Sequence, residues 1–260
     1  AFTLFKDVVD SGDFIEVSGT LFTTEKGQQS ILVSSWRMLS KSLLPLPDKY
    51  HGLQNEEERF RKRYLDLLMH GDMRSMFVRK ERFWDVTRLF LKKRGFLEVE
   101  TPTLEVTTGG AEARPFQTHH NDFDIDVYLR ISVGELWQKR LLASGFDKTF
   151  EIGRTFRNEG TSPNHLQEFT NMEFYWGYAN YEDGMALVED MYRTIVSEVY
   201  GKTEFTRGEY TFDLAAPWTR IDYTEEIAKQ TGIDIVSTDE SAIKERLREL
   251  GVAYDGDTKE

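Results

Sequence analysis

Arg157 ends the first half of a stretch, FEIGRTFRNEGTSPNHLQEFTNMEFYWGYA (150–179), whose residues two strands would sort onto two faces. A guanidinium is a planar, permanently charged fork suited to phosphate. Period-two alternation places Phe150, Ile152 and Phe156 on one face, with Glu151, Gly153, Thr155 and Arg157 on the other. In the second run Met172, Phe174 and Trp176 lie opposite Asn171, Glu173 and Tyr175. The intervening loop, roughly ten residues, is too long for a tight turn, and two readings stay open. The polar faces form a ligand platform, or they belong to an ordinary sheet facing water. By itself Glu135 reads as a helix-start residue favoured by the helix dipole. Glu173, in an apolar strand, is harder to explain as a purely structural residue.

The elements that must position these groups follow from the pattern. Strands are predicted at 149–157 and 168–178, with helices at 134–144 and 181–200 and further helices after 220 and 240. Upstream, DFIEVSGTLF and SILVSSW alternate and read as two strands within 13–38, joined by TTEKGQQ. LLPLPDKYHGLQ (43–54) carries two prolines and a glycine and reads as a linker, with a domain boundary near residue 50. EEERFRKRYLDLL then puts Phe60, Tyr64, Leu67 and Leu68 on one helical face, and the next helix does the same with Phe83, Val86, Phe90 and Leu91, ending at Gly95. FLEVETPTLE reads as a short strand closed by Pro102, and TTGGAEARPF as a loop. The pattern is α+β.

Composition narrows the function classes. The chain of 260 residues is 39% hydrophobic and 13% aromatic, enough to bury a substantial core. No stretch reaches the roughly 18–20 apolar residues that span a bilayer, and AFTLFKDVVDSGDF lacks the pattern of a signal peptide, so a soluble protein is expected. There is no cysteine, and five dispersed histidines (51, 70, 119, 120 and 165) form no helical metal pair. The net charge of −12 has the wrong sign for a general nucleic-acid binder. Any RNA contact must be local; the basic run Arg59–Arg63 is either such a contact or a solvated helix face.

FRNEG followed by EFTNMEFY resembles motif 2 of the class II aminoacyl-tRNA synthetases, and within them the lysine-specific branch. The likeness continues upstream through HGLQNEEERFRKRYLDLL, RGFLEVETPTL in the place of motif 1, GGAEARPFQTHHN and YLRISVGELWQKRLLASGF. Residues 1–45 are similar to the end of the family's anticodon-binding OB-fold domain. The resemblance implies an α+β fold: an antiparallel class II sheet flanked by helices over 46–260, preceded by a remnant of a β-barrel. It implies ATP-dependent activation of L-lysine to lysyl-adenylate and transfer to tRNA(Lys), in the cytoplasm. A homodimer through motif 1, with Pro102, is implied too.

Carried onto this sequence, the family's pattern gives Arg157 the α-phosphate and the lysine carboxylate. Glu159 and His165 reach the nucleotide, and Phe169 stacks on adenine. Glu135 and Glu173, with Tyr175 alongside, meet the charged end of lysine, and Gly110 lets backbone approach the α-amino group. Mg²⁺ is expected bridging the ATP phosphates. His119 and His120 are expected to be structural, and no residue is assigned as a metal ligand.

The sequence departs from the pattern in three places. ISVGELWQKR is one residue longer than the commoner form, and Leu166-Gln167 stand where Asn-Pro is usual. Motif 3, a glycine-repeat strand followed by a nucleotide-clamping arginine, does not occur before Glu260, nor do the acidic Mg²⁺ ligands near it. These 260 residues alone are therefore expected to show little or no lysine-dependent ATP–pyrophosphate exchange. Alternatives are a paralogue that lysylates a protein, a non-catalytic module on the same scaffold, and a sister enzyme for aspartate or asparagine. The last is disfavoured because an aspartate pocket would need cations where Glu135 and Glu173 stand.

Overall fold

A short helix that periodicity does not predict, α1 (Phe2–Val8), comes first in the computed structural model, which describes residues 2–47, 53–162 and 164–252. The two alternating segments form β1 (Phe14–Thr23) and β2 (Gln29–Ser40), paired antiparallel from Phe14↔Ser40 to Thr23↔Gln29 with two register irregularities. Phe5 of α1 packs edge-on against Trp36 of β2, ring centroids 5.2 Å apart. Most of the ribbon's large apolar side chains, Leu21 and Leu32 among them, are exposed. The expected linker at 43–54 lies partly outside the described residues, which resume at Leu53.

The single helix expected from EEERFRKRYLDLL is two helices, α2 (Glu56–Arg61) and α3 (Arg63–Met69), broken at Lys62 with φ −108° and ψ 47°. Phe60, Tyr64 and Leu68, assigned to its buried face, are exposed. What turns inward is Asp66. Its fully enclosed carboxylate accepts from Arg59 Nε at 2.8 Å and Arg63 Nη1 at 2.5 Å, and lies 2.9 Å from His70 Nδ1. The Arg59 guanidinium, ahead of Arg63 and His70, holds this carboxyl below its ordinary range against the effect of burial. Arg61 and Lys62 pair with Glu57 and Glu58 one turn back, so each of the four cations of the basic run is matched by an acid. The run is a charge-compensated helix surface.

Helix α4 (Gly71–Lys93) buries Val86, Phe90 and Leu91, as its 3.6-residue pattern requires, and Gly95 follows it in the left-handed region at φ 82°. The described chain divides into two units within this helix, Ala1–Trp84 and Asp85–Glu260.

The second unit carries the hairpin. FLEVETPTLE is not one strand. Pro102, which has no N–H to give a ladder, separates β3 (Leu97–Glu98) from β4 (Leu104–Glu105), each of two residues. Two strands of little alternation follow, β5 (Gln117–His120) and β6 (Ile125–Leu129). Helix α5 (Glu135–Ala143) leads to the hairpin strands β7 (Lys148–Phe156) and β8 (Glu168–Trp176). One sheet has the order β3-β7-β8, with β3 parallel and β8 antiparallel to β7; the other, antiparallel, has the order β4-β6-β5. Arg130 joins them: its carbonyl accepts from Phe156 N at 2.9 Å and its N–H donates to Thr103 O at 2.9 Å.

Helix α6 (Tyr181–Tyr200) starts at a capping box between Asn180 and Asp183 and buries Leu187, Met191, Ile195 and Val196. A small hairpin, β9 (Glu204–Arg207) with β10 (Tyr210–Asp213), precedes α7 (Tyr223–Thr231) and α8 (Glu240–Glu249). Phe96 lies edge-on to Phe174 and Trp176 beneath the first sheet, at 5.5 and 5.8 Å. The fold is α+β with mixed and antiparallel sheets, and no described helix is long and apolar enough to cross a membrane.

Candidate active site

The register of β7 and β8 decides which side chains meet. Glu151 faces Glu173, Gly153 faces Asn171 and Thr149 faces Tyr175, while Phe150 faces Phe174 and Ile152 faces Met172. Directly opposed residues of an antiparallel pair point the same way, so polar meets polar and apolar meets apolar along the hairpin.

At one end of the polar face Arg157, Glu159, His165 and Phe169 line a single cavity of about 260 Å³, together with Gly160, Asn164 and Leu166. The chain closes there by a hydrogen bond from Arg157 N to Gln167 O at 2.8 Å. Arg157 donates through Nε to Ile131 O at 3.3 Å, and its guanidinium carbon lies 5.3 Å from the centre of the Phe169 ring. Among the described residues its two Nη groups have no protein partner, so the outer edge of the fork is free for an anion. Glu159 Oε1 accepts from the backbone of Arg114 at 3.2 Å, and His165 Nδ1 is held 2.7 Å from Ser162 Oγ. At the two positions where the sequence departs from Asn-Pro, Leu166 is exposed and the Gln167 amide donates to Glu159 O at 2.9 Å.

The other end is acidic. Glu173 Oε1 accepts from Val133 N at 2.9 Å and from Asn171 Nδ2 at 3.0 Å, with no cation in contact among the described residues. Burial first, then the nearby Glu135 charge, pushes its pKa above the ordinary 4.5, against the Val133 hydrogen bond and the charges of Arg157 and Arg130. The Tyr175 hydroxyl is pushed up by burial and by the same two glutamates. Glu135 opens α5 and pairs with Lys139 one turn on. Gly110, at φ 91°, passes so close that a Cβ would collide with Ser132 Oγ and Glu135 Oε2. The five residues assigned to lysine divide accordingly: Gly110, Glu135, Glu173 and Tyr175 share one electrostatic neighbourhood, with Arg157 linking it to the cavity.

Beneath lies a buried ionic knot that the pattern did not single out. Arg130 Nη1 donates to Glu151 Oε1 at 2.5 Å, both side chains about 5% exposed. Glu151 Oε2 accepts from the hydroxyl and backbone N–H of Thr101 at 2.6 and 3.1 Å, and Arg130 Nε donates to Arg154 O at 2.8 Å. Gly153 is glycine because the Arg130 guanidinium occupies the space of its Cβ. Gln138, fully buried, ties α5 to the hairpin by accepting from Thr149 Oγ1 at 2.9 Å and holds the segment before the helix by donating to Val133 O at 2.9 Å.

The family described as tRNA synthetases class II (D, K and N) matches residues 55–251. The chain belongs to that family. Within it, the chain is 47% identical to a lysine–tRNA ligase of Listeria monocytogenes over 257 residues, covering 98% of this chain and 50% of the relative. It is 46% identical to that of Roseiflexus sp. over 98% of the chain and 52% of the relative. It is 50% identical to a heat-inducible lysine–tRNA ligase of Escherichia coli over 85% of the chain and 43% of the relative. The chain spans about half the length of the curated relatives it matches.

The sequence pattern singled out the polar face of the hairpin but missed the residues that support it from behind. Arg130 and Glu151 lie 21 positions apart, and nothing in either local sequence ties them together. The usable clue was Gly153, a glycine in mid-strand where a close approach is the usual cause. His119 and His120 lie on β5 away from these groups, His119 beside Asp124 and Asp126 and His120 against the Phe123 ring.

Proposed function

We propose that the chain is the motif 1 and motif 2 part of the catalytic domain of a lysine–tRNA ligase, which activates L-lysine with ATP and transfers it to tRNA(Lys). The observation that carries this reading is the juxtaposition, on one hairpin face, of a free-edged arginine in an aromatic-lined cavity and a half-buried glutamate with no internal cation. The relatives' name supports lysine over aspartate or asparagine, as does the acidic end of the site.

The nucleotide lies in the cavity with its base over Phe169 and its α-phosphate at the Arg157 fork; Glu159 and His165 contact the nucleotide. The lysine carboxylate attacks the α-phosphorus in line, the bond to pyrophosphate breaks, and the mixed anhydride lysyl-adenylate forms. Negative charge on the phosphoryl oxygens meets the guanidinium, which is positioned beforehand by Ile131 O and Phe169. A terminal hydroxyl of tRNA(Lys) then takes the lysyl group and releases AMP. Glu135, Glu173 and Tyr175 receive the lysine ammonium, and an uncharged amino acid of equal length is rejected because it leaves these carboxylates unpaired. Mg²⁺ accompanies ATP as part of the substrate; among the described residues no group of three or more acidic or histidine side chains is placed to hold a metal ion.

Residues 1–45, with the α1, β1 and β2 ribbon, are the end of an OB-fold anticodon-binding domain, and 46–260 belong to the catalytic domain. A homodimer through the Pro102 segment and a cytoplasmic location complete it. Calorimetric titration of the purified chain with non-hydrolysable lysyl-, aspartyl- and asparaginyl-adenylate analogues tests the reading. The lysyl compound is expected to bind at least about tenfold more tightly than the others, about 1.4 kcal/mol. Equal affinity, or preference for the aspartyl compound, overturns it.

A further inference from the structure

The two oxygens of Glu173 are treated differently by the protein. Oε1 accepts two hydrogen bonds, from Val133 N at 2.9 Å and Asn171 Nδ2 at 3.0 Å. The orientation of the Asn171 amide is set independently, because its Oδ1 accepts from Met172 N at 2.9 Å. The nitrogen end must therefore be the one that faces the carboxylate. Asn171 stands across from Gly153, which carries no side chain of its own, and the Arg130 guanidinium that fills that space makes no hydrogen bond to the amide. Oε2 receives no hydrogen bond among the described residues, and it is not among their sealed, unpartnered atoms. The other charged or titratable groups that influence Glu173, namely Glu135, Arg157, Arg130 and Tyr175, do not hydrogen-bond to it.

A carboxylate with two donors on one oxygen cannot rotate without breaking both bonds, and its second oxygen is held toward one direction. We propose that Asn171 is a positioning residue for amino-acid selection: together with the Val133 N–H it fixes Glu173 so that Oε2 meets the side-chain ammonium of the amino acid. The inference rests on the reading of Glu173 as an ammonium ligand. It assigns the ligand contact to one oxygen, and it makes selectivity depend on an uncharged neighbour that touches no substrate.

The test is calorimetric titration with L-lysine and with norleucine, which keeps the apolar stem and lacks the ammonium. Asn171→Leu, close in size and without donors, is expected to weaken lysine binding about tenfold, the loss of one hydrogen bond to a charged group, while norleucine changes less than about twofold. Asn171→Ala carries the same expectation should the leucine fail to fold. Asn171→Gln, which restores an amide donor, is expected to return lysine affinity to within about threefold of the parent. Equal weakening of lysine and norleucine marks a merely structural residue and overturns the proposal. Unchanged lysine affinity in Asn171→Leu, with binding lost in Glu173→Gln, overturns it while leaving the reading of Glu173 intact. Unchanged lysine affinity in Glu173→Gln overturns that reading and the inference with it.

Discussion

Glu151 and Glu173 face each other across β7 and β8, the same residue type on the same face of the same hairpin, yet their surroundings are opposite. Glu151 is buried with its charge taken up by Arg130 and both its oxygens hydrogen-bonded. Glu173 is half-buried, accepts only from uncharged donors among the described residues and has its pKa raised. Two like charges directly opposed destabilise a sheet unless one is neutralised. Arg130 neutralises Glu151, and its charge also lowers the cost of ionising Glu173. A sheet face thus holds one carboxylate paired with a buried cation and another that no described cation contacts.

The comparison breaks most visibly at the knot. Arg130→Met leaves Glu151 buried and unpaired and is expected to cost on the order of 3–5 kcal/mol in urea denaturation, whereas the same change made with Glu151→Leu should recover much of it. A loss below about 1 kcal/mol in the single variant would show that the two glutamates differ less than their contacts suggest. Arg157→Ala should weaken binding of the lysyl-adenylate analogue about 100-fold with little change in denaturation midpoint, and Arg157→Lys should not restore it, because an ammonium lacks the fork.

Glu173→Gln is expected to weaken lysine about 10- to 100-fold while leaving stability equal or slightly higher, since it removes a charge that folding disfavours. The sign with pH follows from the raised pKa. Lysine binding needs the ionised carboxylate, so calorimetric affinity is complete above the folded-state pKa and falls as pH drops through it, with a midpoint above 4.5. Folding favours the protonated form, so Glu173 destabilises the free protein above that window and the penalty fades as pH falls through it. Smaller again is Gly110→Ala, expected to cost about 1–2 kcal/mol from the left-handed backbone and to weaken lysine binding by displacing Glu135. Least of all, Arg61→Ala should change stability by less than about 0.5 kcal/mol, as expected of an exposed pair with Glu57.

Periodicity read the hairpin correctly because its two faces differ in polarity along the whole length, and a one-residue slip would have turned Phe150 and Phe174 outward. The same reasoning failed for Phe60, Tyr64 and Leu68, where Asp66 with its cations took the inward position. It could not anticipate β5 and β6, whose short polar runs gain their form from pairing with each other.

By itself the sequence determined the family, the α+β pattern and the two hairpin strands, one ending just before Arg157 and the other carrying Glu173, because local alternation and residue strings encode these. Only the tertiary structure decided which glutamate is paired with a cation. That depends on Arg130 and Thr101, distant in sequence, being brought to Glu151 and not to Glu173, and no local pattern encodes such a pairing.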